Sequence, residues 1–180
     1  MIIKYLIIMK IKFIISSLIV IATLAFCGFK TFELDDRLCK SNEEIVFSFR
    51  LITNGKTISL CKDKNDKYLV YRFGTKENVE LTFPKVLDKA SWQNFKYYSI
   101  HRGGGKGNGG MGDIYLNFKN ENAEYTVYHF WRDENRSNEI GIEVKVGNKK
   151  LKLKGNINSQ EGALQELDSM SDLISNTAEE

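Results

Sequence analysis

Residues 101–113 read HRGGGKGNGGMGD and hold seven of the chain's 14 glycines. Glycine-rich stretches of this kind cradle phosphates when their backbone N–H groups open onto a helix N-terminus. The GxGxxG spacing occurs twice, at Gly105, Gly107, Gly110 and at Gly107, Gly109, Gly112. The context is wrong for a nucleotide. DIYLNF follows, which alternates as a strand does, and Lys106 is followed by glycine where a P-loop needs Ser or Thr. Nucleotide binding is therefore not expected. What remains is a pliant hairpin loop whose polar and cationic groups, His101, Arg102, Lys106, Asn108 and Asp113, suit contact with a partner.

The two histidines, His101 and His129, fall in strand-like segments on either side of the one that carries Asp113. A metal or acid–base site needs such groups to converge with a third partner, and no third partner is evident. GxSxG, HExxH and paired CxxC motifs are absent. No catalytic residue, metal site or cofactor is assigned. Aromatic runs at 95–100 and 125–131 supply core and cross-strand pairs, and Tyr98, Tyr115 or Tyr128 on an outer face would be second candidates for contact.

These groups must be carried by strands. Ile140, Ile142, Val144 and Val146 alternate with polar residues up to Gly147-Asn148, a two-residue hairpin turn. Pairing across it sets Val144 against Leu151, Ile142 against Leu153 and Glu143 against Lys152. Asn54-Gly55 gives a like signal, setting Phe47, Phe49 and Leu51 opposite Lys62, Leu60 and Ile58, with Cys61 opposite Ser48 on the outer face. Segments 67–73 and 78–83 form a third pair, with Tyr71 opposite Leu81, Phe73 opposite Val79, and Arg72 facing Glu80 outside. Further strands are expected at 94–102, 113–119 and 123–131. The result is an all-β, antiparallel meander of about eight or nine strands, closing as a barrel or a two-sheet sandwich. Residues 159–180, with Leu164, Leu167, Leu173 and Ile174, make an acidic tail or a short helix.

The N-terminus has a basic start at Lys4, Lys10 and Lys12 and an apolar run from Phe13 to Cys27, the pattern of a signal peptide over 1–27. That leaves a β-domain over 28–158. Cleavage near Ala25 or Cys27 fits, and lipid on Cys27 would be the one route to a membrane. Three of the 26 basic residues and none of the 23 acidic ones lie in those 27 positions, so the remainder carries 23 of each. A neutral domain gives no electrostatic reason to expect nucleic acid. Cys39 and Cys61 are the pair left in an oxidising compartment, which reads as one disulfide.

The stretch CKDKNDKYLVYRFGTKENVELTFP, 61–84, resembles a motif of small exported proteins of Gram-negative bacteria. A looser likeness is to the periplasmic and membrane-bound inhibitors of C-type lysozyme, which implies a small exported β-barrel that pushes a loop into an enzyme's cleft. The Ser-Gly-x-x-Tyr loop of those inhibitors is absent, and no inhibitory residue is carried over. The expectation is a periplasmic or secreted binding protein, not an enzyme. It would act as an inhibitor or immunity protein on a lysozyme-like enzyme or a secreted toxin through the glycine-rich loop. The alternative is an accessory protein of the cell envelope.

Overall fold

The computed structural model describes residues 36–178. The expected signal peptide over 1–27, with Cys27, lies outside the described residues. Ten strands run in chain order: β1 (Glu43–Arg50), β2 (Thr57–Asp63), β3 (Leu69–Gly74), β4 (Val79–Phe83), β5 (Phe95–Arg102), β6 (Met111–Asn120), β7 (Ala123–Arg132), β8 (Ser137–Val146), β9 (Lys149–Lys154) and β10 (Glu161–Gly162). They form two antiparallel five-stranded sheets, in the orders β10-β1-β2-β3-β4 and β5-β6-β7-β8-β9. The fold is a two-sheet sandwich and not a barrel: the first four strands stay in one sheet and the next five in the other.

Alternation supplies the core. Phe47, Phe49, Ile58, Leu60 and Tyr71 from the first sheet meet Phe95, Tyr97, Ile114, Leu116, Val127, Ile140 and Ile142 from the second. Phe118 stacks on Tyr125 at 4.8 Å and on Phe83 at 4.7 Å, joining the sheets at one end. Among the described residues, no helix is long and apolar enough to cross a membrane.

The β8–β9 hairpin has the expected register, with Val144 opposite Leu151, Ile142 opposite Leu153 and Glu143 opposite Lys152. The ion pairs run diagonally instead, Lys152 to Glu139 at 2.9 Å and Lys150 to Glu143 at 2.8 Å. The first hairpin is corrected by two residues. Phe47 lies opposite Leu60, Phe49 opposite Ile58 and Ser48 opposite Ser59, while Cys61 faces Ile45. Asn54-Gly55 is not a two-residue turn. The Leu51 N–H donates to the Lys56 carbonyl at 2.8 Å and closes a longer loop, with Gly55 at φ 68°. The third pair slips by the same amount: Tyr71 faces Phe83, Phe73 faces Leu81 and Arg72 faces Thr82, with an irregularity between Phe73 and Gly74. The expected Arg72–Glu80 pair does not form, and Glu80 binds Lys56 at 2.7 Å.

Arg72 points instead into a buried polar layer on the outer face of the first sheet, beneath a strap over residues 36–40. Its guanidinium binds Glu43 through two bonds, 2.6 and 2.8 Å, and also donates to the Leu38 carbonyl at 3.2 Å. Ser59 Oγ accepts from the Leu38 N–H at 3.1 Å and lies 2.8 Å from Ser48 Oγ. The disulfide joins Cys39 of this strap to Cys61 of β2. It points to an oxidising, extracytoplasmic environment.

The C-terminal segment is part of the core. Leu164, Leu167 and Ile174 are buried, and Leu164–Met170 forms a 3-10 helix. Beyond it the Thr177 N–H donates to the Tyr97 carbonyl at 2.9 Å. The Asn176 carboxamide both accepts from the Ser99 N–H and donates to its carbonyl, at 2.9 and 2.8 Å. The tail thereby lines the edge of β5.

Candidate functional site

The glycine-rich loop extends the β5–β6 hairpin from Gly103 to Gly110. Gly105 and Asn108 bond each other through their backbones, at 2.8 and 3.3 Å. That bridge places Lys106 and Gly107 at the apex, Gly107 with φ 114°. Lower down, the Gly110 N–H donates to the Asp133 carboxylate at 2.8 Å, and the Asp133 N–H returns a bond to the Gly110 carbonyl at 2.9 Å. Asp133 opens the turn between β7 and β8. A Cβ on Gly110 would collide with its carboxylate, and one on Gly109 would press on Glu134. A side chain at either position would push Asp133 or Glu134 aside where the loop leans on its neighbour. The loop is a braced tip, not the loose connector its composition suggests.

Of the residues expected at this site, Arg102, Lys106 and Asn108 are exposed at or beside the tip. Asp113 is not with them. It lies on the outer face of β6 and binds Arg132 at 2.7 Å, so its charge is already matched. His101, Asp113 and His129 do not converge: His101 lies opposite Gly112, His129 opposite Ile114, and Asp113 opposite Ile100. Both imidazoles belong to the inward face, while Asp113 points out. His129 lies 5.8 Å from the Phe47 ring and bonds Asn138 Oδ1 through Nε2 at 3.0 Å. Its Nδ1 is buried and without a partner among the described residues. Burial holds this imidazole below its ordinary value, against the opposing pull of the Asn138 bond.

His101 instead joins a cluster that the sequence does not reveal. Beside it, β5 and the 3-10 helix Leu164–Met170 enclose a cleft of about 640 Å³. Asp168 Oδ1 accepts from the Tyr97 hydroxyl at 2.9 Å, and its Oδ2 lies 3.4 Å from Ser99 Oγ and 3.5 Å from His101 Nδ1. Ser99 Oγ is 3.3 Å from that same nitrogen. Burial, the larger cause, and the bond to Asp168 push the Tyr97 phenol up, so it remains a donor. Serine, histidine and aspartate meet here, but not as a nucleophilic relay. A relay places the imidazole between the other two, one on each nitrogen. Here both contact Nδ1, and the carboxylate reaches the serine directly. Ser99 and His101 share a face through their i, i+2 spacing. Asp168 arrives only through the packing of the tail, which is why local pattern misses it.

Two other groupings complete the inventory. The sulfurs of Cys39 and Cys61 and a carboxylate oxygen of Glu43 lie within 4.8 Å of one another. The sulfurs are bonded to each other, and Glu43 is engaged by Arg72, by the Tyr68 hydroxyl at 2.9 Å and by the Lys40 N–H at 2.7 Å. None of the three offers a free thiolate or an open carboxylate. On the outer face of the second sheet Tyr98 and Tyr115 lie 5.8 Å apart and half-buried. Tyr128 is buried over Gly141, under the Lys152 ammonium at 4.5 Å, and donates to Glu139. It does not project as a contact residue.

The glycine loop opens strand β6 and no helix, so it lacks the helix N-terminus that a pyrophosphate needs. No protein-family model, no curated protein and no solved structure matches the chain.

Proposed function

We propose that this is an exported binding module that acts in the periplasm or outside the cell on another protein, a lysozyme-like enzyme or a secreted toxin, through the tip of the β5–β6 hairpin. One observation carries the reading: the glycine-rich tip is fixed to the β7–β8 turn by the paired Gly110–Asp133 bonds while Lys106 and Asn108 stay exposed. A narrow, cationic, backbone-rich projection on a rigid sandwich fits a partner's cleft, and bracing lowers the ordering cost of binding. The compartment follows the Cys39–Cys61 bond.

The test is capture from a panel of purified muramidases and secreted toxins by the disulfide-bonded protein, with inhibition of the captured enzyme as the second readout. Lys106→Glu should weaken capture at least about ten-fold, the scale of one lost charge-assisted contact. Equal capture by wild type and a protein lacking 103–110 would overturn the reading, and no capture at all would favour the accessory envelope role.

A further inference from the structure

A second cleft, of about 540 Å³, lies on the other sheet, bordered by Arg37, Leu38, Cys39, Lys40, Arg72, Lys76, Val79, Thr82, Lys85 and Leu87. Five of these residues are basic and none is acidic. We propose that this cleft binds a phosphate-bearing ligand.

The charge balance carries the assignment. Glu43, the carboxylate behind the cleft wall, is saturated by Arg72, Tyr68 and the Lys40 N–H. It fixes Arg72, and both of its oxygens are engaged. Arg37 is held by Glu161 at 3.2 Å. Lys40 and Lys85 are exposed, and neither forms an ion pair with a described residue. They enter from separate segments, Lys40 from the strap and Lys85 from the chain just after β4, and Thr82 of β4 borders the same cleft. Cations converging from different directions suit a tetrahedral, multiply charged oxyanion better than a planar carboxylate, for which one guanidinium fork suffices. The walls are preformed. The disulfide fixes the strap to β2, and the bond from Arg72 to the Leu38 carbonyl fixes it to β3. Leu38, Val79 and Leu87 give the cleft an apolar side, so the phosphate can belong to an organic molecule.

The experiment uses the disulfide-bonded protein with two probes. One is inorganic phosphate, followed by calorimetry. The other is vesicles of phosphatidylcholine with and without phosphatidylglycerol, followed by co-sedimentation. The variants are Lys40→Gln, Lys85→Gln and their double, with Lys149→Gln/Lys150→Gln on β9 as a charge-matched control. Both cleft lysines are exposed, so unchanged melting curves are expected. Saturable binding of free phosphate should weaken about ten-fold in each single variant, as loss of a charge-assisted contact predicts, and not in the control. Binding confined to the phosphatidylglycerol vesicles with the same Lys40 and Lys85 dependence assigns the phosphate to a lipid headgroup. No saturable response to either probe, or equal loss in the control, would overturn the proposal. Deleting 103–110 should leave phosphate binding intact, so this result stands or falls apart from that of the loop.

Discussion

Glu43 and His129 are two buried ionisable groups solved in opposite ways. Burial pushes the Glu43 carboxyl up, but the Arg72 bonds, the Lys40 N–H and the Tyr68 hydroxyl outweigh it and hold the group below the ordinary carboxylate range. Removing one partner of such a pair strands the other charge. Glu43→Ala should cost about 3–5 kcal/mol in urea denaturation, far more than an exposed pair such as Lys145–Glu124. His129 resists protonation because burial outweighs the opposing bond to Asn138. The two groups act in different pH windows. Above about pH 6.5 the His129 ring is neutral in both folded and unfolded chains and contributes no slope. Below that, the unfolded ring takes up a proton that the folded ring resists, so stability falls as pH drops. The Glu43 contribution is present above its unfolded value of about 4.3 and is lost only as pH falls through the lower folded value. Chemical denaturation between pH 7 and 5 should therefore show a decline that His129→Phe flattens and that Tyr68→Phe, which removes a hydroxyl bonded to Glu43 and Asn42, leaves in place.

At the scale of elements, the β5–β6 loop is the clearest test of what the sandwich needs. Replacing 103–110 with Asn-Gly removes the two bonds to Asp133, whose side chain is exposed and can return to water. Loop length enters closure only logarithmically, so stability should stay within about 1 kcal/mol while partner capture is lost. A large fall in melting temperature would make the brace structural. The elements also show where sequence stops being informative. Two-fold periodicity reveals the strands and their inward faces, and Gly147-Asn148 fixes one register because its turn has the minimal length. Asn54-Gly55 looks like a similar signal but sits in a longer loop, and an irregularity between Phe73 and Gly74 offsets the third pair, so both registers slide by two. A slide of two keeps every side chain on its face. Cys61 therefore still points outward to the strap even though its partner is Ile45 and not Ser48. The same slide moves Arg72 away from Glu80, and its true partner, Glu43, lies across the sheet at the start of β1. The Ser99–His101–Asp168 cluster was half legible, since strand spacing pairs the first two and only tertiary packing brings the third.

For the whole molecule, the covalent link and the tail do what the two meanders cannot. The disulfide spans 22 residues, and chain-entropy reasoning gives it on the order of 3 kcal/mol. Cys39→Ser/Cys61→Ser should lower stability by that amount and release the strap over Ser59, and mass spectrometry of the unreduced protein should find no free thiol at either position. Leu167→Ala in the buried part of the tail should cost about 2–5 kcal/mol, although its neighbours are acidic and polar. Each sheet is otherwise a run of neighbours in sequence, β1 to β4 and β5 to β9. Among the described residues, those after Lys154 return to both: Gly162 pairs with Phe47 of the first, and Asn176 bridges to Tyr97 of the second. The order of synthesis then becomes an order of assembly. Two locally formed halves can arise while the chain is still emerging, but the contacts that residues 155–178 make with both form only once those residues have emerged. A nascent chain in which that segment is still withheld would remain a pair of unlocked sheets, open to proteases.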